Sequence, residues 1–295
     1  MSVYSTRLRR HTVVATLRAA LVRSLPRPSL PSDFLKRPIV STFSHAAAAS
    51  DERLAHLRAE VALFMRDHVL SLVSHDLRSP LNAIHSWAYV LERKLDAADA
   101  AAQRALAGIR SGVEQQVKLL EDAVDKTRAE TKSLPLHREA FPIRLAVERA
   151  LEDARLAVVE ARGGVVDLVS AIDAERIDGD RERLVQALWT MVVFAVEASA
   201  PGAKVTLTSE IDGGFWRTEV AFTANFAALA DAELPHALEP FARSQAMHPR
   251  EAGRISWVLA LAQRVAAAHG GTFEQSATND GEPSTLALRV PLIAQ

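Results

Sequence analysis

Cysteine is absent from this chain of 295 residues, and glycine is scarce. Without cysteine the chain can form no disulfide, no thiolate nucleophile and no thiolate metal site. The 12 glycines are about 4% of the residues, against roughly 7% in average proteins, and all lie at or after Gly108. Such a chain is a poor candidate for a phosphate-binding loop, because these loops bring the backbone close to the phosphate and usually need glycine to do so.

Long apolar runs are also missing. No segment reaches the roughly 18 consecutive apolar residues of a membrane-spanning helix, and Arg18 interrupts the nearest approach at residues 12–22. We therefore expect a cytoplasmic protein without membrane contact. The net charge of −1 is unevenly spread, with +7 on residues 1–50 and −8 on the remainder. The acidic remainder, and a basic segment without interleaved aromatic residues, argue against a nucleic-acid partner.

Prolines and helix formers divide the chain into three segments. Proline-rich residues 24–45 predict a linker, so we expect residues 1–50 to be a basic, disordered leader. An arginine-rich, acid-poor start is also typical of an organelle transit peptide, and it can reflect an over-long choice of start codon. Residues 51–134 have a helical pattern, and residues 135–295 mix helices and strands. At roughly 150 residues per domain, the length predicts two folded domains.

Residues 51–134 are predicted to form a helical hairpin. The first helix extends from Ser50 to about Leu95, and Asp99 caps a second helix. The second helix continues to about Lys132. Two helices joined by so short a turn fold back on each other, and their half-covered apolar seam predicts a dimeric four-helix bundle. The seam of the first helix has a regular 4-3-4-3-4 spacing and consists of Leu77, Leu81, Ile84, Ala88, Leu91 and Leu95.

Residues 135–295 are predicted to form an α+β sandwich. Gly163-Gly164 precedes a short apolar run, and Gly213-Gly214 separates two segments that alternate with the period of a strand. Hairpin turns mixed with helices indicate helices on one face of a sheet. The predicted helices are 143–162, 180–198 and 253–269, and the predicted strands are 204–208, 216–222, 272–274 and 285–290.

On the first helix, His75, Ser79 and Asn82 lie one turn apart on the face opposite the apolar seam. One interpretation is a solvated face that happens to carry a histidine, which suits most of the ten histidines. The residues around His75 point to a more specific role than a solvated face. Its residues 74–81 (SHDLRSPL) resemble the H-box of sensor histidine kinases, in which an exposed histidine accepts a phosphoryl group. The resemblance covers about residues 51–295.

The resemblance implies a role for each H-box residue. His75 is the phospho-acceptor, and Asp76 matches the acid that orients its imidazole. A neutral imidazole is a good nucleophile near pH 7, because the ordinary pKa of histidine is about 6.5. Ser79 stands where many relatives place Thr or Asn to position water for phosphatase action. Arg78 and Asn82 are the matching candidates for docking a partner.

Residues 135–295 resemble the catalytic ATP-binding domain of the same family in the order of several motif stretches. Leu134–Leu145 resembles the linker into that domain. The other matching stretches are Asp180–Leu188 for the entry to the N-box, Leu238–Phe241 for the F-box, Val265–Gly271 for the helix after the last glycine box and Gly281–Leu292 for the final strand.

The positions that contact nucleotide in the family differ in this chain. Thr190 and Phe194 replace two asparagines, one of which helps to hold Mg²⁺, and phenylalanine offers no oxygen ligand. Glu197 replaces the basic residue that often follows. The glycine boxes lack the expected glycines and have, at the degenerate positions, Thr223, Ala224, Ser256 and Val258.

The apolar replacements predict an ATP cleft filled as core; they are Phe194, Phe226, Trp257 and Val258. We therefore expect no cofactor and no metal, with ATP and Mg²⁺ bound only if the divergent pocket works. In that case Asn225 or Arg254 would have an unfamiliar role.

Three functions are compatible with this pattern. In the first, the chain resembles a histidine phosphotransfer protein, and His75 exchanges phosphoryl groups with the aspartate of response-regulator receiver domains. An upstream kinase or hybrid kinase would then be a further partner, beside a second copy of the chain. In the second, the chain is an active sensor histidine kinase with a divergent pocket. In the third, it is a non-enzymatic pseudokinase scaffold. A test of ATP binding distinguishes the phosphotransfer protein from the active kinase. Replacement of His75 identifies the scaffold, because only the scaffold would keep its function without that histidine.

Overall fold

The computed structural model describes residues 39–94, 99–128, 134–246, 256–276 and 279–292. Helices α1 (Ile39–Lys94) and α2 (Ala100–Arg128) form the predicted helical hairpin, and α1 continues through Pro80. Asp99 caps α2, because its Oδ1 accepts from the N–H of Ala102 at 2.9 Å. The hairpin and its cap are therefore confirmed. The predicted end of the second helix at residues 129–132 lies outside the described residues.

The start of α1 corrects the sequence analysis. The linker predicted at 24–45 is wrong for residues 39–45, because α1 begins at Ile39 and not at Ser50. The prolines of that linker all precede Ile39, so none of them interrupts the hydrogen bonds of the helix. Residues 39–50 contain neither proline nor glycine. The rest of the predicted leader, residues 1–38, lies outside the described residues.

The chain divides into two compact units, Met1–Ala49 and Ser50–Gln295. The described strands of the second unit are β1 (Glu139–Pro142), β2 (Val165–Ser170), β3 (Arg176–Gly179), β4 (Lys204–Asp212), β5 (Phe215–Thr223), β6 (Thr272–Gln275) and β7 (Pro283–Pro291). Five of them form a sheet with the order β2-β4-β5-β7-β6, in which β2 is parallel to β4 and the other pairs are antiparallel. A separate ribbon pairs β1 with β3.

Helices cover one face of this sheet, which confirms the α+β arrangement. Helices α4 (Arg181–Glu197) and α7 (Ala260–Ala268) pack against the sheet, and α3 (Ile143–Ala154) packs against α4. The turn between β4 and β5 places Gly213 and Gly214 at φ values of +56° and +80°, which favour glycine. The helices are α3 (Ile143–Ala154, continued by a π-helical turn at Arg155–Val159), α4 (Arg181–Glu197), α5 (Phe226–Ala230), α6 (Pro240–Ala246) and α7 (Ala260–Ala268, after a 3₁₀ turn at Trp257–Leu259).

The predicted helices and strands match these elements with small differences. The helix predicted at 143–162 is α-helical only as far as Ala154. The helix predicted at 253–269 begins with the 3₁₀ turn at Trp257, and residues 253–255 lie outside the described residues. The sequence analysis described β2 only as a short apolar run, and it missed four other short elements, which are β1, β3, α5 and α6.

Residues 54–65 of α1 contribute to the core of the sheet domain. Leu57 and Met65 are buried in the same hydrophobic cluster as α3 and α4, together with Leu54, Val61 and Phe64. Three ion pairs flank this apolar contact, between Arg53 and Asp153 at 2.6 Å, Glu60 and Arg183 at 2.7 Å, and Asp67 and Arg264 at 2.7 Å. The packing therefore fixes residues 53–67 of the helix that carries His75.

Candidate functional site

His75 lies on α1 in the open, two turns beyond the part of the helix that packs against the sheet domain. Its side chain is 78% exposed, and its Nδ1 lies 3.4 Å from Oδ1 of Asp76. In the tautomer whose Nδ1 carries the proton, that nitrogen donates to Asp76 and Nε2 keeps its lone pair. An exposed Nε2 with a free lone pair is open to in-line approach by a phosphoryl group.

The other H-box positions share this open surface. Ser79 and Asn82 are exposed one and two turns beyond His75, as the helical spacing predicts. Arg78 makes an ion pair with Glu121 on α2 at 3.3 Å, so the docking candidate also links the two helices of the hairpin. The structure therefore brings His75, Asp76, Ser79 and Asn82 together on one accessible face.

The apolar seam of α1 is open in a single chain. Leu77, Ile84 and Leu91 are 44%, 46% and 51% exposed, whereas Ala88 is buried and Leu81 is half-buried. Leu95, the last predicted member, lies outside the described residues. Trp87 is even more exposed, at 68%. Contiguous exposed apolar side chains of this kind are typical of an interaction surface.

The two N-box positions are buried in α4. Thr190 donates a hydrogen bond from Oγ1 to the carbonyl of Gln186 at 2.7 Å, within its own helix. Phe194 is buried and meets the ring of Phe222 edge to face, with 6.1 Å between the centroids. Phe222 directly precedes Thr223 in the first glycine box, and the sequence analysis did not recognise it as a partner of Phe194.

The first glycine box is tied into the domain by its own backbone. Thr223 is exposed at the end of β5, and Ala224 is buried, with its N–H donating to the carbonyl of Glu282 at 3.0 Å. Asn225 caps α5, because its Oδ1 accepts from the N–H of Ala228 at 3.1 Å. Phe226 is half-buried against the core. Asn225 therefore has a structural role here.

The second glycine box is also occupied by the chain's own contacts. Ser256 is half-buried, and its N–H donates to Oε1 of Gln275 at 2.7 Å. Val258 is buried, and Trp257 packs against the core with its ring 6.2 Å from that of Phe241. Arg254 lies outside the described residues. Of the four positions in the two glycine boxes, Ala224 and Val258 are thus buried, whereas Thr223 is exposed and Ser256 is half-buried.

Glu197 has a role that the sequence analysis did not find. Its carboxylate is fully buried at the end of α4, and Oε1 accepts from the N–H of Ala237 at 2.6 Å and of Leu238 at 3.0 Å. Oε2 lies 2.8 Å from Nδ1 of His236. No motif indicates these contacts, because the partners are about forty residues apart in the sequence.

Arg162 completes this buried group. Its guanidinium donates to the carbonyls of Val196, Glu197 and Ala228 at 3.1, 2.9 and 3.1 Å. Burial lowers the pKa of Arg162, and the negative charge of Glu197 opposes that effect. The sequence analysis did not single out Arg162, which follows a helix and precedes Gly163-Gly164.

His269 is a second buried histidine with a structural role. Its Nε2 accepts from the N–H of Asp180 at 3.0 Å, and its Nδ1 donates to the carbonyl of Val265 at 2.8 Å. Burial lowers the pKa of His269, since an imidazolium would lose its hydration there. His269 thus joins the end of α7 to the start of α4.

The described residues contain neither a metal-binding cluster nor a membrane-spanning helix. Within that part of the chain, no group of three or more His, Asp or Glu side chains could hold a metal ion. No helix of the described residues is long and apolar enough to cross a membrane.

Known proteins resemble this chain over most of its length. The model of the His Kinase A (phospho-acceptor) domain matches residues 65–132, which include His75. A crystal structure of a histidine kinase from Burkholderia phymatum is 53% identical, with a TM-score of 0.69, and the match covers 82% of this chain and 99% of that chain.

Curated relatives are more distant. Sensor protein DivL of Caulobacter vibrioides is 28% identical over 93% of this chain and 34% of its own length. Histidine protein kinase DivJ of the same bacterium is 26% identical over 84% of this chain and 41% of its own length. The chain thus spans well under half of these two relatives. The H-box site, the domain match and the Burkholderia structure together show that this chain belongs to the histidine kinase family of two-component signalling proteins.

Proposed function

We propose that this chain is a dimeric histidine phosphotransfer protein, in which His75 exchanges phosphoryl groups with the aspartate of response-regulator receiver domains. The observation that carries the proposal is a contrast within one molecule. The imidazole of His75 is exposed and held by Asp76, whereas the nucleotide positions Phe194 and Val258 are buried as core. This contrast supports a chain that keeps the phospho-acceptor and has lost its own ATP-binding site.

The transfer needs only groups that the two partners carry. Nε2 of His75 attacks the phosphorus of an aspartyl phosphate, the P–N bond forms, and the P–O bond to the aspartate breaks. The aspartate leaves as a carboxylate, and the proton on Nδ1 stays on the ring. Asp76 stabilises the positive charge that develops on the imidazole. The reverse step passes the group to a second receiver, and both steps depend mainly on in-line positioning.

A homodimer is part of the proposal. The exposed seam residues Leu77, Ile84 and Leu91 would be covered by the hairpin of a second copy, as in a four-helix bundle. Family membership supports both dimerisation and response-regulator partners in general terms. Around His75, the exposed Ser79 and Asn82 and the half-exposed Arg78 would contact the receiver domain. A cytoplasmic location and an upstream kinase as phosphoryl source stay predictions.

An active histidine kinase is the second candidate. Two observations favour it. The helices and the five-stranded sheet that resemble the ATP-binding domain are present, and the chain is 53% identical to a protein described as a histidine kinase. This candidate requires ATP binding beside Phe194. If ATP binds at micromolar Kd, excess nucleotide raises the free energy of unfolding by a few kcal/mol, on the order of RT ln(1 + [L]/Kd). A melting shift with ATP and Mg²⁺ would therefore favour it.

The experiment uses receiver domains charged with ³²P-labelled acetyl phosphate. The purified chain is mixed with each receiver of the same genome, and label on the chain is followed over time. We expect label on the wild-type chain with at least one receiver, none on His75→Ala, and wild-type labelling of His85→Ala, a histidine on the same helix. If no receiver labels the chain and the His75→Ala variant keeps signalling intact in cells, the scaffold function is correct instead.

A further inference from the structure

A buried anion site lies at the C-terminal end of α4, and the chain fills it with its own carboxylate. The Glu197 side chain is 0% exposed. Its Oε1 accepts from two consecutive backbone N–H groups, those of Ala237 and Leu238, and its Oε2 lies within hydrogen-bond distance of Nδ1 of His236. Two adjacent amides and an imidazole that converge on one carboxylate are the elements of an anion-binding site.

The surroundings hold both sides of this contact in place. Arg162 donates from Nη1 to the carbonyls of Val196 and Glu197, which end α4, and from Nε to the carbonyl of Pro235 at 3.0 Å. Nε2 of His236 lies 2.9 Å from the carbonyl oxygen of Asp231. The segment 231–238 is therefore tied to α4 by a guanidinium, an imidazole and a carboxylate, all of them buried.

Both oxygens of the buried Glu197 side chain have hydrogen-bond partners. A charged group that leaves water is stable only if partners replace its hydration, and here they do so at three points. The segment that it holds leads directly into Leu238–Phe241, which resembles the F-box beside the nucleotide site. Glu197 stands at a position where the family often has a basic residue, and its carboxylate holds the segment 231–238 against α4.

We propose that Glu197 is a resident anion that locks the segment 231–238 against α4, so that the chain's own carboxylate, without nucleotide, holds the segment that leads into the F-box-like residues. Truncation of Glu197 should therefore leave an empty anion site that accepts a small free carboxylate such as formate. The inference does not rest on phosphotransfer by His75, and each can fail while the other stands.

The test measures backbone hydrogen exchange with and without formate. In Glu197→Ala we expect at least tenfold faster exchange at the amides of Ala237 and Leu238. Formate should restore their protection with a saturable dependence, whereas chloride at equal ionic strength should not. Glu197→Gln keeps one acceptor oxygen and fills the site, so it should show intermediate protection that formate does not change. Glu210→Gln, which removes a carboxylate from an exposed ion pair, is the matched control and should exchange like the wild type.

Two results would overturn the lock. One is wild-type exchange at both amides in Glu197→Ala, and the other is faster exchange that formate leaves unchanged. If Glu197→Ala does not fold, His236→Gln decides the question from the other side of the contact. It should speed exchange at Ala237 and Leu238 while the sheet keeps its wild-type protection. Unchanged exchange at these amides in His236→Gln would contradict the proposal.

Discussion

The packing of α1 against the sheet domain predicts how much stability the protein loses when a buried side chain of α1 is shortened. Leu57 is 0% exposed and lies in one hydrophobic cluster with α3 and α4. Leucine-to-alanine changes at fully buried sites cost about 3–5 kcal/mol, because transfer free energy is lost and a cavity remains. For a unit of this size each kcal/mol lowers the Tm by about 2–4 °C. Leu57→Ala should therefore lower the Tm by about 6–20 °C.

The assay is thermal and urea unfolding followed by circular dichroism. Leu156→Ala is the matched control, since Leu156 is 44% exposed in the same domain, and it should cost less than about 1 kcal/mol. Leu188→Ala, in the centre of α4, should cost as much as Leu57→Ala. If Leu57→Ala unfolds like Leu156→Ala while Leu188→Ala is strongly destabilised, α1 is not part of the core and the reasoning is refuted.

Three further predictions concern the dimer, pH and nucleotide. Ile84→Glu places a charge in the exposed apolar seam and should shift the chain from dimer to monomer, as measured by light scattering. Ala83→Glu, at an exposed position next to the seam, is the control and should leave the dimer intact. An unchanged molecular mass of Ile84→Glu would exclude this seam as the dimer interface. Because burial lowers the folded-state pKa of His269, the unfolded chain binds more protons below about pH 6.5. The free energy of unfolding should therefore fall as the pH drops below that value, and His269→Gln should flatten this dependence in urea titrations; an equal slope in both proteins would contradict it. Millimolar ATP with Mg²⁺ should leave the Tm unchanged, and a rise of several degrees would mean that the filled cleft still binds nucleotide.

Much of the fold was predictable because local signals agree with the tertiary structure. Asp99 stands where a new helix needs an acceptor, and the structure uses it as the cap. Gly213-Gly214 supplies the two positive φ values that a tight hairpin requires. The start of α1 was mispredicted because the prolines before Ile39 dominated the interpretation of the helix formers after it.

The candidate site was only partly predictable, for a related physical reason. His75 and Asp76 are neighbours in a recognisable motif, so their contact follows from the sequence. Glu197 reaches partners about forty residues away, and Phe194 meets Phe222 across two secondary-structure elements. Contacts between distant residues form only when the sheet is assembled, and no local pattern encodes them.

The measurement that tests the central claim most directly compares two phosphoryl donors on the same chain. Wild-type protein and His75→Ala are each incubated with a ³²P-labelled receiver domain or with [γ-³²P]ATP and Mg²⁺, and acid-labile label on the chain is counted. We predict label on the wild-type chain from the receiver, none from ATP, and none on His75→Ala from either donor. Label from ATP on His75, or label from a receiver that persists in His75→Ala, would contradict it.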